Sequence, residues 1–352
     1  MKIPTTVITG FLGSGKTTLI RELLQNTEGK KIALIINEFG DLGVDGDILK
    51  GCGDETCSED DIMELSNGCI CCTVADDFIP TLTKLLERDI KPDHIVIETS
   101  GLALPQPLIR AFNWPEISTQ VTVDSVITVV DGDAAHKGQF SNSLEAIEKQ
   151  REQDENIDHD TPISELFEDQ LACADLIIIN KSDLISASEM KNLQAELSSN
   201  TRAGVQIIQS TMGKVPSKIL LGRNVSAEKD IQSRHEIHHD HHHDDHHHDE
   251  HHHDKHHHDD FESFIVTLPA IKNQEEFIKR MEDVIVNHGI LRLKGFASIE
   301  GKPLRMTVQA VGPRIETYFE QSKSENNTPD TQLVIIGNSG LNKDIISSTL
   351  AG

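Results

Sequence analysis

The sequence predicts an α/β fold with a mostly parallel sheet, followed by a small α+β domain. Three observations predict it. Over roughly the first 210 residues, Ile- and Val-rich runs that are apolar throughout alternate with helix-sized stretches; such runs are strands buried on both faces by crossover helices. A His- and Asp-rich tract then breaks the pattern. Beyond it the order strand, helix, strand, strand, helix, strand returns over about 90 residues, which suggests a ferredoxin-like arrangement of ordinary domain size.

The strands of the first part are expected at 5–10, 31–37, 94–100, 126–131, 176–180 and 205–210. Helices are expected at 15–26, 76–88, 104–111, 162–174 and 188–198, with a short strand and turn in "IMELSNG", residues 62–68. Residues 235–260 contain fifteen His with Asp or Glu in most of the gaps. Such a segment cannot bury apolar area, so 213–260 reads as a His/Asp-rich disordered linker. In the last part strands are expected at 261–269, 289–301, 304–312 and 331–340, and helices at 273–287, 313–321 and 342–350. The division is therefore 1–212, 213–260 and 261–352.

The 352 residues carry a net charge of −26. That balance argues against nucleic acid, whose phosphates demand Lys and Arg, and against anionic membrane surfaces. No run approaches the roughly 20 apolar residues that span a bilayer. The N-terminal stretch lacks a signal-peptide core, so a cytoplasmic location is expected. Thiols stay reduced there, and clustered cysteines bind metal or react more often than they pair.

"GFLGSGKT", Gly10 to Thr17, meets every fixed position of G-x-x-x-x-G-K-[ST] between a strand and a helix. It is a P-loop. Gly10, Gly13 and Gly15 let the backbone, with Ser14, curl its N–H groups toward phosphates. The helix start, with Thr18, adds positive potential. Lys16 neutralises the β- and γ-phosphates, and the Thr17 hydroxyl suits Mg²⁺. "NKSD", Asn180, Lys181, Ser182 and Asp183, ends another apolar strand and matches N-K-x-D. A carboxylate at Asp183 accepts from the N1–H and N2–H₂ edge of guanine; adenine offers no such pair, so GTP is the expected nucleotide. "ETSG" places Glu98 for the Mg²⁺ shell and Gly101 for the terminal phosphate. In "NEFGDLGVDGD", Glu38 and Asp41 are candidate Mg²⁺-shell or water-orienting residues of a switch loop. The expected catalytic set is Lys16, Glu38, Asp41 and Glu98.

"NGCICCTV" crowds Cys69, Cys71 and Cys72 into four residues. A packing role explains one buried Cys, not three so close together, and a disulfide between neighbours needs a strained ring. A metal site is the better reading. Thiolates suit Zn²⁺ and Co²⁺ alike, so ligand type does not choose between them. Cys52 and Cys57 either complete this site, bind separately, or sit in an acidic loop by chance. Cys173 reads as a small core residue. The His-rich tract reads as both a solvated linker and an unselective metal reservoir.

The motifs "GFLGSGKTT", "NEFGDLGVDG", "ELSNGCICCTV", "ETSGLALP" and "NKSDL", together with the C-terminal part, make the chain similar to the CobW family of P-loop GTPases over nearly its whole length. "KGCGDETCSEDD", "FEDQLACADL" and the His-rich insertion resemble its branch associated with aerobic cobalamin synthesis. The resemblance implies a GTP- and Mg²⁺-dependent metallochaperone carrying Co²⁺ to a cobaltochelatase. The competing expectations are Zn²⁺ as cargo, or a metal-storage protein.

Overall fold

The computed structural model describes residues 2–37, 62–65, 78–141, 147, 162–223, 225–234, 261–311, 314–320 and 331–352. The chain forms two compact units, Met1–His235 and Glu236–Gly352. Among the described residues, no helix is long and apolar enough to cross a membrane.

The first unit contains β1 (Ile3–Thr9), α1 (Lys16–Gln25), β2 (Ile32–Asn37), β3 (Ile62–Leu65), α2 (Ile79–Leu86), β4 (His94–Glu98), α3 (Pro105–Ala111), α4 (Pro115–Ser118), β5 (Val121–Asp131), α5 (Gly132–Ala135), α6 (Ile163–Cys173), β6 (Leu176–Asn180), α7 (Ala187–Ser199), β7 (Gln206–Gln209) and α8 (Ser217–Leu220). Its seven strands lie in the order β3-β2-β4-β1-β5-β6-β7. Every pairing is parallel. All of β4 and β6 is buried, as continuous apolar runs in a covered sheet require. Parallel pairing puts every carboxyl end on one rim, where open α/β sheets bind ligands.

β5 begins five residues earlier than its apolar run suggests. The cause is a bulge. Thr5 of β1 faces Val123, but Thr6 faces Ser125, so Asp124 is the extra residue. Its Oδ2 accepts the Arg223 N–H at 2.9 Å and lies 3.9 Å from His94 Nε2. His94 also lies 2.8 Å from the Thr6 hydroxyl. Burial pushes the His94 pKa down to about 4; Asp124 opposes the shift and Lys30 adds to it. The folded state thus holds His94 neutral where the unfolded chain, with a pKa of 6.5, takes up a proton. Stability from this group is complete above pH 6.5 and declines as pH falls toward 4. Between pH 7 and 5 the loss should be about 2 kcal/mol. Urea unfolding of the wild type and of His94→Gln at both pH values checks this. The variant should lack that share of the pH dependence, and equal slopes would refute it.

Residues 213–234, expected above as the start of a linker, are folded onto this unit. Arg223 and Arg234 are buried. Arg234 donates to Asp175 Oδ1 at 2.7 Å, to Asp230 Oδ1 at 2.9 Å and to the Cys173 carbonyl. Arg202 reaches the same Asp175 oxygen at 2.9 Å. Burial alone would raise the Asp175 pKa, but Arg234 and Arg202 outweigh it and hold the carboxyl low. Glu228 accepts from the Thr122 hydroxyl and the Val123 N–H. These charged pairs hold the segment together with its buried Ile219, Leu220, Leu221 and Val225, which are too unevenly spaced to show a helical or strand period. Cys173 is buried as expected, and burial pushes its thiol up to about 12, which makes it inert.

The second unit holds β8 (Phe261–Leu268), α9 (Gln274–Asn287), β9 (Ile290–Ala297), β10 (Arg305–Val311), β11 (Arg314–Glu320), β12 (Thr331–Asn338) and α10 (Lys343–Ala351). Its sheet runs β11-β10-β9-β12-β8 and is antiparallel. Phe277, Met281 and Val284 of α9 and Ile346 of α10 share one core with Leu293, Val308 and Leu333. The expected α+β body is present, but the helix expected at 313–321 is strand β11. "RIETYFE" sets Ile315, Thr317 and Phe319 on one side and Glu316 and Tyr318 on the other, a period of two. The Gly312-Pro313 pair is a turn signal, and Val311 faces Arg314 across it.

Candidate functional site

The site is built where β1 ends. Gly10 has φ 136°, and a Cβ there would lie 2.1 Å from the Val129 carbonyl oxygen. Gly15 has φ 99°, and a Cβ would lie 2.2 Å from Asn180 Nδ2. Both positions need the left-handed region and the missing side chain. α1 then starts at Lys16, so its unpaired N–H groups and positive dipole end face the loop.

Lys16 is only 8% exposed. Its Nζ donates to the carbonyls of Gly10 at 2.8 Å and Phe11 at 3.3 Å, bridging the loop. Thr17 Oγ1 donates to Glu98 Oε1 at 3.2 Å, joining α1 to the end of β4. These two hard oxygens on one wall suit Mg²⁺. Asn180 works as a clamp: its Nδ2 donates to the Ser14 carbonyl at 2.9 Å, and its Oδ1 accepts the Gly213 N–H at 3.1 Å. Lys181 takes a left-handed backbone, φ 59°, and its Nζ donates to Asp131 Oδ2 at 2.6 Å. Asp131 also caps α5 through the Ala134 N–H.

One cavity of about 460 Å³ gathers these groups, a size within the range of small-molecule pockets. Gly13, Gly15, Lys16, Thr17, Thr18 and Glu98 line one part, and Asn180, Lys181 and Asp183 the other. Gly10, Ser14 and Gly101 do not line the cavity itself; a Cβ on Gly101 would lie 2.8 Å from the Leu12 nitrogen. The basic and hydroxyl groups fit a polyphosphate. The exposed carboxylate of Asp183 fits a donor-rich base edge. Sequence reasoning missed Leu12, Leu184 and Met212, which add apolar lining, and the clamping N–H of Gly213. The usable signal for the last two was position: "STMG" follows β7 as the P-loop follows β1, on the same rim.

Glu38, Asp41, Cys52, Cys57, Cys69, Cys71 and Cys72 lie outside the described residues, as does the His-rich tract. What the structure places is the approach to them. Ile36 of β2 faces Glu98, and Asn37 faces Leu65. The chain therefore enters residue 38, and the residues before Cys69, from the rim that carries the cavity.

Residues 4–209 match the family model described as CobW/HypB/UreG, nucleotide-binding domain. Residues 261–352 match the Cobalamin synthesis protein cobW C-terminal domain. The chain is 55% identical over 339 residues to a protein of Sinorhizobium sp named Zinc chaperone CobW, covering 96% of this chain and 93% of that one. It is 48% identical over 340 residues to a Pseudomonas aeruginosa protein of the same name, covering 96% and 88%. A Schizosaccharomyces pombe protein named Zinc-regulated GTPase metalloprotein activator 1 is 36% identical over 217 residues, covering 60% and 47%.

Proposed function

We propose, from the premise that this chain belongs to the CobW/HypB/UreG family of P-loop GTPases, that it couples GTP hydrolysis to the binding and release of a thiolate-held metal ion. The observation that carries the reading is that Lys16, Thr17 and Glu98 meet Asn180, Lys181 and Asp183 in one cavity. In it, Lys16 and the α1 N-terminus neutralise phosphate charge, and Asp183 reads the base. Thr17 and Glu98 would hold Mg²⁺, whose chemistry there is to offset the charge that develops between the β- and γ-phosphates. Glu38 and Asp41 follow β2 in sequence and are the candidates to sense the terminal phosphate and order the water.

Cys69, Cys71 and Cys72 are the cargo site in this reading, with Cys52 and Cys57 as candidate additional ligands. Three thiolates leave a position open for transfer, unlike a closed four-ligand structural site. The relatives' names favour Zn²⁺ as cargo. Co²⁺, with a cobaltochelatase as acceptor, is the finer alternative that the branch resemblance favours. Thiolates serve both ions.

The chain loaded with Mg²⁺ and a non-hydrolysable GTP analogue should bind Zn²⁺ at least tenfold more tightly than the GDP form. In Cys71→Ser/Cys72→Ser this difference should vanish while GTP turnover persists. Equal affinity in the two nucleotide states would end the gating idea, and full affinity in the double variant would end the site assignment. Competition decides the cargo: thiolate-to-Co²⁺ charge-transfer absorption that survives equimolar Zn²⁺ supports cobalt, and its loss supports zinc.

A further inference from the structure

Gln170 sits within α6 and is fully buried. Its Nε2 donates to the carbonyls of Gly101 at 3.0 Å and Ala103 at 3.2 Å. Both acceptors belong to the turn that follows Glu98. Only the NH₂ end of an amide can face two carbonyls, so the side chain's orientation is fixed. Its buried Oε1 has no hydrogen-bond partner among the described residues. That arrangement is unfavourable for a buried amide, and it accompanies two donors aimed at one turn.

The helix that carries Gln170 is itself fixed to the phosphate loop and the sheet. The Gln170 carbonyl accepts the Thr128 hydroxyl of β5 at 2.8 Å. Phe167, one turn earlier, lies 5.8 Å from Phe11 of the P-loop and 5.4 Å from Phe140 between ring centroids. The Gly101 turn touches that loop too, through the close approach to the Leu12 nitrogen. Loop, turn and helix thus form one wall.

We infer that Gln170 is a positioning residue for GTP hydrolysis: its two N–H donors hold the Gly101–Ala103 turn where the Gly101 N–H meets the terminal phosphate. This rests on the reading that the Gly101 turn contacts that phosphate. An interaction made with the transferring group in the transition state shows in kcat; one made equally in the ground state shows in KM.

Three full-length variants test it by steady-state phosphate release. Gln170→Met keeps the volume and removes both donors; kcat should fall at least tenfold, with KM for GTP and affinity for GDP within about threefold. Gly101→Ala should lower kcat as well. Gln170→Glu puts a buried carboxyl at the site, which burial keeps protonated more readily as pH falls. Protonated, it donates one hydrogen bond. Its kcat relative to wild type should therefore rise between pH 8 and pH 6, while that of Gln170→Met stays flat. Unchanged kcat in Gln170→Met with loss in Gly101→Ala overturns the role of Gln170 and leaves the turn's role standing. Unchanged kcat in both removes the underlying reading. A rise in KM alone overturns the inference. Should Gln170→Met fail to fold, a flat relative profile for Gln170→Glu overturns it by itself.

Discussion

Lys16→Met will lower kcat/KM for GTP by on the order of a hundredfold to a thousandfold. The ammonium bridges the Gly10 and Phe11 carbonyls and lines the cavity. Its charge is pre-placed where the proposed reading puts the phosphates, and the side chain itself is only 8% exposed. There a fixed charge counts for more than in bulk solvent. Methionine keeps most of the stem and removes only the charge and donors. Phosphate release under steady-state conditions reads the effect, and the near-ultraviolet spectrum confirms the fold. Activity within tenfold of wild type would sink the assignment of Lys16.

Asp183→Asn will weaken GTP binding by roughly a hundredfold or more and move preference toward xanthine nucleotides. In the proposed reading the carboxylate accepts from two guanine donors. An asparagine turns one acceptor into a donor, which leaves a donor facing a donor. Losing a charge-assisted bond costs about 1.5–3 kcal/mol, and the unmatched donor adds about 1–3. Xanthine carries a carbonyl where guanine carries the amine, and the asparagine amide matches it. Competition between GTP, ATP and xanthosine triphosphate for each protein measures the shift. A wild type that binds ATP as well as GTP, or a variant that binds GTP unchanged, would show that Asp183 does not read the base.

How much of this was legible in the chain depends on what held each piece. The P-loop and N-K-S-D were readable because their geometry is written in residue type: Gly10 and Gly15 adopt backbone regions that other residues avoid. The parallel strands were readable because burial on both faces makes them apolar throughout. Strand β11 was missed because its seven residues follow a turn and only half of them face the core. Residues 213–234 were missed because their buried Ile219, Leu220, Leu221 and Val225 follow no regular period and their ionic partners, reached through Arg223, Glu228 and Arg234, lie far back in the chain. The start of β5 was hidden by the buried Asp124 in its bulge. Leu184 closes the N-K-S-D-L stretch without a role of its own there, and Met212 carries no motif; the rim it shares with the P-loop marks it.

Arg234 closes that ionic cluster at Asp175, the residue before β6, whereas Asn180 ends the same strand at the cavity. Five residues of strand separate the two, roughly 16 Å. The His-rich run starts with His235, immediately after this locked arginine. Arg234 is therefore fixed at the end of the sheet away from the cavity, whereas β3, the last described strand before Cys69, ends on the cavity side. A metal ion held by the run would meet the thiolates as an intramolecular event, at an effective concentration set by tether length rather than by the free ion in the cell. The arginine thereby fixes the last described residue before the His-rich run.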